Sequence, residues 1–452
     1  MNFSSLIKKH CKEALLKSSI AVVFYLFLFV FSNIEIVRDQ AEDVAFDFVN
    51  YTYLDTKEEY IKDIPNIQLF KVDEMYLKIN NLMDKDGETT FGYSTPRDKL
   101  AQMIDTLDKI EKDKQPKILF LDYDFSFTST PYGKVNNLSK EDQILIDTLK
   151  QKREYTIILP KSSQYNFIEH SKDTKIQELI NAEKIIFVSV RFSKNKDKYY
   201  RRYYSSETYD CKIYPNLSLV LSALIHNQSL EKLKKIEQNK SDKDKKDIVR
   251  NRIIIKQYKA KDTSTPIKIN DNIYQNSIDT SYWGNMLKSK SALYLEDKNT
   301  TSRLKDSIVF IGATYQNSGD FFNINGSLAM AKLSGIEMHI NTLMSILYYD
   351  KYIEPINIIL GLILIFSLFF IVEIILEVIF EKYNITSKEL GFVILLIVMS
   401  IIMYSLSIYL IQYHQIWFNW FAPVLLFQVY EVIEFIRRYI VKKMAKKKRI
   451  KV

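Results

Sequence analysis

Four apolar runs constrain this chain more than any other feature, because each is long enough to demand burial in lipid or in a large core. The first, Ser18 to Ser32 (SSIAVVFYLFLFVFS), follows Lys8, Lys9, Lys12 and Lys17, a pattern that cleaved signal peptides and retained anchors share. No small-x-small cleavage site follows it. Instead IEIVRDQAEDVAFDF continues with a helical period, which favours a retained span over residues 18–36 behind a cytoplasmic segment, 1–17. After Pro355 come three more runs, 356–379, 390–411 and 416–436. Each approaches the roughly 20 residues that cross about 30 Å of hydrocarbon at about 1.5 Å per residue.

Charge gives these spans a direction. The formal balance is +9, but residues 437–452 carry nine basic side chains (Arg437, Arg438, Lys442, Lys443, Lys446, Lys447, Lys448, Arg449, Lys451) and no acidic one, so the rest sums to about zero. A basic stripe across a folded domain is therefore not expected, nor is a nucleic-acid partner. Basic flanks belong in the cytoplasm. That rule puts both ends of the sequence inside, residues 37–355 outside, the connector with Lys382 and Lys388 inside, and the 412–416 connector outside. Tyr409, Tyr413, Trp417 and Trp420 cluster at that outer connector, as aromatic rings do at an interface. The expected location is a cytoplasmic (inner) membrane, with the bilayer itself as one partner and the basic tail drawn to its anionic inner leaflet.

Glu373 and Glu377 share one helical face within the second span. Two readings are open: they reach the headgroups at its cytoplasmic end, which is the simpler, or they pair across a dimer or signal along the helix. Cys11 and Cys211 would lie on opposite sides of the membrane, so no internal disulfide is expected. The five histidines lack metal-ligand spacing with one another or with cysteine, so no metal is expected.

Residues 37–355 alternate strand-like and helix-like runs, which predicts a mixed α/β extracytoplasmic domain. Strands are expected at 67–72 (IQLFKV), 117–125, 155–160, 185–192, 252–258 and 307–312, with helices over 97–109 and 140–152. Segment 229–252, rich in Lys and Asp, is too polar to build a core and reads as a helical extension that ends in a solvated insertion.

SIVFIGATYQNSGDFFNING followed by LSGIEMHINTLM resembles the C-terminal signature of CHASE2 domains, the exported sensory modules of bacterial signalling proteins. In that family a strand ending in Gly-Ala-Thr leads to a Gly-Asp-aromatic motif and then a Gly-(Val/Ile)-Glu-x-His-x-Asn helix. Gly312, Ala313, Thr314, Gly319, Asp320, Phe321, Gly335, Glu337, His339 and Asn341 match those positions. Weaker matches are VRDQAEDVAFDFV, Thr95-Pro96-Arg97, FLDYDF, RIIIKQY and SYWGNML, so the resemblance covers about residues 37–436. It implies one anchor, the sensor domain and three further membrane helices. Family members commonly continue into a kinase or cyclase, whereas about sixteen residues follow the last span here, so the resemblance leads us to expect a sensor whose output lies on another chain.

No Gly-rich phosphate loop, nucleophile elbow or zinc motif is present, so neither an enzyme nor a cofactor is expected. A binding crevice fits better, because polar residues just past the C-terminal ends of strands line such crevices in layered α/β domains. Arg97, Asp122, Asp124, Thr314 and Asp320 are the candidate ligand-binding residues. The plainer alternative makes Asp122 and Asp320 caps and Gly312 and Gly319 turn residues. For Glu337, His339 and Asn341 it is an interior helix with His339 satisfied by a backbone carbonyl. Two functions stay open: a receptor subunit that signals to a separate cytoplasmic effector, and a scaffold that assembles an envelope complex. Paired subunits suit either.

Overall fold

The computed structural model describes residues 3–31, 65–91, 96–129, 138–194, 200–238, 304–324, 331–349, 354–382, 388–414 and 416–418. The segments 252–258 and 437–452, most of the 416–436 run, and the polar insertion beyond Gln238 lie outside the described residues, as do Thr95 and the VRDQAEDVAFDFV and SYWGNML segments. Two compact units make up the chain, one of Met1–Tyr53 with Tyr352–Val452 and the other of Leu54–Lys351.

The first unit opens with α1 (Phe3–Phe31), a helix that starts well before the apolar run and carries the basic flank within it. In the second unit the order is β1 (Ile67–Val72), α2 (Glu74–Ile79), α3 (Arg97–Asp108), β2 (Ile118–Asp122), α4 (Lys140–Leu149), β3 (Thr156–Pro160), α5 (Thr174–Asn181) and β4 (Ile185–Val188). Two hairpins follow, β5 (Phe192–Lys194) with β6 (Tyr200–Tyr203), and β7 (Ser206–Tyr209) with β8 (Lys212–Pro215). Then come α6 (Leu217–Ile225), α7 (Leu230–Gln238), β9 (Ile308–Ala313), the hairpin β10 (Phe321–Ile324) with β11 (Ala331–Ser334), and α8 (Gly335–Tyr349). The expected helical extension is thus α7, most of which is exposed, with Leu230 at its start buried in the core.

β1, β9, β2, β3 and β4 form one parallel sheet in that order. Its strands are apolar on both sides, as a parallel sheet covered on both faces requires. Leu119, Leu121, Ile157, Leu159, Val309 and Ile311 meet α3, α4 and α5 on one face. Ile118, Phe120, Ile158, Ile308 and Phe310 meet α6, α7 and α8 on the other. The handedness rule explains this split. From β1 through β4 the chain steps in one direction, so right-handed crossovers put α3, α4 and α5 on one face. The return to β9 reverses direction and puts α6 and α7 on the opposite one.

Local caps fix where these helices begin. Ser139 and Asp142 form a reciprocal capping box on α4, Asp173 caps α5 and Asn216 caps α6.

The first unit resumes with a two-residue parallel bridge of β12 (Glu354–Pro355) to β13 (Ile416–Trp417), and with α9 (Ile358–Lys382) and α10 (Lys388–His414). At 25 residues α9 is about 37 Å long and apolar enough to cross a membrane; among the described residues it is the one helix that meets that test, while α10 contributes a shorter apolar stretch, Ile397–Leu410. α1 packs along α9. Ala14, Ser18, Ala21 and Tyr25 are buried there, as are Gly361, Ile365, Phe369 and Val372, and a Cβ at Gly361 would overlap the Tyr25 hydroxyl. Small residues at this spacing let two helices approach closely. Lys17 bonds to Glu373, and His10 lies 3.5 Å from Glu377 and 2.7 Å from Glu381, so falling numbers in α1 meet rising numbers in α9 and the pair is antiparallel. Glu373 and Glu377 thus have partners on α1 of the same chain, an arrangement that neither expectation named.

Candidate ligand-binding site

The chain leaves β1 and β2 for helices on one face and leaves β9 for α8 on the other. The C-terminal ends of the strands flanking β9 are therefore the topological switch point, the place where open α/β sheets form a ligand crevice. Asp122 is the last residue of β2 and stands in register with Gly312 of β9. Thr314 follows β9 and donates its N–H to Val72 O, 2.9 Å away, which extends the β1–β9 pairing by one bond. Strand alternation points Asp122, Gly312 and Thr314 toward the face that α8 covers.

Two glycines clear the space in which the carboxylates sit. A Cβ at Gly312 would lie 2.6 Å from Ile336 Cδ1 and 3.0 Å from Asp122 Cβ. A Cβ at Gly335, the first residue of α8, would overlap the carboxylate of Asp320. The Gly335 N–H donates to Asp320 O at 3.0 Å and also supports the Asp320 carboxylate. Gly319 has φ +73°, the left-handed conformation that the turn into Asp320 needs and that glycine adopts freely.

Burial dominates the electrostatics. It pushes the Asp320 carboxyl up to about 6, and it raises Asp122 well above the usual carboxylate range, with the negative charge of Asp320 adding to the rise. Asp122 Oδ2 and Thr314 Oγ1 are buried with no hydrogen-bond partner, and so is the hydroxyl of Ser334, a fully buried residue at the end of β11. The phenols of Tyr76 and Tyr123 are likewise buried and unpartnered, and Tyr123 lies in the fields of Asp122, Tyr315 and Arg97.

The other predicted positions have different tasks. Arg97 is 1 % exposed on the opposite face, with its guanidinium 4.7 Å from the Phe125 ring centroid, Nη2 donating to Asp124 O at 2.5 Å and Nε 4.0 Å from Asp142. It braces the loop after β2 instead of lining the crevice. Asp124 is exposed and accepts from Ser126 N and Ser162 Oγ. Glu337 accepts from Lys71 Nζ at 3.1 Å and from Ser334 N, closing the first turn of α8. Ala313 ends β9, Phe321 begins β10 and Asn341 lies within α8. His339 is buried between the rings of Phe120 and Phe192. Its Nδ1 is buried with no hydrogen-bond partner among the described residues, and burial lowers its pKa to about 3, so the ring is neutral.

The family model for the CHASE2 domain matches residues 20–374. The chain belongs to the CHASE2 family. CHASE2 is an extracellular sensor domain, and the match runs from α1 through most of α9, taking in Asp122, Asp320 and the whole parallel sheet. No curated protein and no solved structure matches this CHASE2 chain. Ser334, Tyr76 and Tyr123 went unnoticed in the sequence, although Ser334 directly precedes a motif glycine and Tyr123 stands between two candidate aspartates.

Proposed function

We propose that this CHASE2 chain is a membrane-anchored extracytoplasmic receptor, not an enzyme, that takes a ligand in the crevice flanking β9 and passes the change to a cytoplasmic effector. The observation that carries the reading is the pair Asp122 and Asp320 at the switch point, beside hydroxyls that have no partner among the described residues. Folded domains rarely leave buried polar groups unmet, and where they do the group often serves binding. In this reading α1, the three later apolar runs and the basic tail hold the chain in a cytoplasmic membrane with both ends inside. Two chains act as a dimer, and α1 with α9 carries the signal.

Thermal unfolding of the purified full chain in detergent, across a broad small-molecule panel, tests the receptor reading. A saturable shift that Asp122→Asn or Asp320→Asn abolishes is the expected result. No shift from any compound, together with stoichiometric capture of one envelope protein, would replace the receptor with a scaffold.

A further inference from the structure

The crevice lacks one thing. Among the described residues no lysine or arginine offsets Asp122 and Asp320: Arg97 is held by Asp142 and the Asp124 carbonyl, and Lys71 is bonded to Glu337. Both carboxyls respond to burial and to each other, with only the Gly335 N–H helping to hold charge. Among the described residues Asp122 Oδ2, Thr314 Oγ1 and the fully buried Ser334 Oγ have no hydrogen-bond partner. An anion would be repelled here, and a neutral polyol would leave the desolvated charges unmet. A divalent metal asks for six or more oxygen ligands or several retained waters, and among the described residues no third His, Cys, Asp or Glu joins the pair.

Building on the receptor reading, we propose that the ligand is a small organic ammonium, a protonated primary amine whose three N–H donors are met by Asp122, Asp320 and Thr314. Among the described residues the two carboxylates have no countercharge, and an ammonium supplies that charge together with N–H donors for Asp122 Oδ2 and its neighbours. Glycine at 312 leaves room beside Asp122 and glycine at 335 leaves room for the Asp320 carboxylate, and Asp122 lies in the field of Asp320. Because the amine binds the ionised carboxylates, each proton it displaces weakens binding about tenfold per pH unit below the carboxyl pKa.

The test uses the full chain in detergent with ethylammonium and putrescine chlorides, against KCl at matched ionic strength, CaCl2 and MgCl2. Thermal unfolding and titration calorimetry are expected to show saturable amine binding that weakens at least about fivefold from pH 6 to pH 5 and is lost in Asp122→Asn and in Asp320→Asn. Calorimetry of the unaltered chain in two buffers of different ionisation enthalpy gives the proton release directly, which keeps the test valid should either variant misfold. Binding that persists in both variants, or a shift from calcium or magnesium alone, overturns the ammonium assignment. If amines fail while an anionic or neutral compound binds through Asp122 or Asp320, this assignment falls and the receptor reading stands. If no class of compound binds, both fall.

Discussion

His339 makes the stability of the second unit depend on pH in a way that one substitution isolates. Its ring is 3 % exposed and flanked by Phe120 and Phe192, and burial lowers its pKa from 6.5 to about 3. Below pH 6.5 the unfolded chain takes up a proton that the folded chain refuses, so stability is full above that value and is lost progressively down to about pH 3. Between pH 7.5 and pH 5 the loss from this one group is about 2 kcal/mol, or roughly 4 to 8 °C in Tm. Asp320 acts in the opposite sense. With its carboxyl raised from 3.8 to about 6, the folded chain binds the extra proton, so its stabilising contribution is complete below 3.8 and is lost as pH rises through 6. That contribution returns about 1 kcal/mol over the same interval and hides part of the histidine effect.

His339→Gln removes the titration while keeping a polar side chain of similar length. Groups common to both proteins cancel in the difference of the two pH profiles. The measurement is thermal unfolding of both full chains in one detergent at pH 7.5, 6.5, 5.5 and 5, and the expected result is that the variant gains about 2 kcal/mol relative to the parent on acidification, whatever its offset at pH 7.5. Parallel profiles would refute the argument, because they would mean that His339 is solvated or hydrogen-bonded in the folded chain.

Three further outcomes are expected. Gly335→Ala forces a methyl group into the Asp320 carboxylate and should cost about 1–3 kcal/mol in thermal unfolding, much of it regained in the double variant with Asp320→Gly; equal losses in the single and double variants would mean that the clash is not the cause. Lys17→Met or Glu373→Leu alone leaves one charge of a buried pair without its partner and should cost about 3–5 kcal/mol, whereas both together should come close to the parent; additive losses would dissolve the pairing. Cys211 is exposed and Cys11 lies in α1, so in intact cells a membrane-impermeant maleimide should label Cys211 and reach Cys11 only after permeabilisation, and the reverse pattern would invert the proposed orientation.

Much of the central sheet was legible because buried parallel strands announce themselves as short apolar runs: IQLFKV, ILFLD, TIILP, IIFV and IVFIGA all form strands where they were expected. Their order was not legible. β9 lies between β1 and β2 because of pairings between residues far apart in sequence, such as Asp122 with Gly312, which no local period encodes. The hairpins β5–β6 and β7–β8 are short and Tyr-rich with no clean alternation, so their strand bounds and register were not legible. Of the candidate site, Asp122, Thr314 and Asp320 do come to one crevice, whereas Arg97 does not; its partner Asp142 sits in another helix at no spacing that a sequence pattern marks. The close seam of α1 with α9 escaped notice because Ala14 and Ser18 are embedded in a lysine-rich flank that reads as a cytoplasmic lead-in.

The position of β9 also governs how this domain comes into being. Synthesis delivers β1 and β2 early, yet the strand that must lie between them arrives only with Ile308–Ala313, long after β3 and β4. Until then the edges of β1 and β2 face each other across a gap one strand wide, with apolar surface on both sides. The nascent chain must therefore remain open and protected from premature pairing until nearly the whole domain has emerged, so truncations ahead of residue 308 should yield aggregation-prone intermediates and not a smaller sensor.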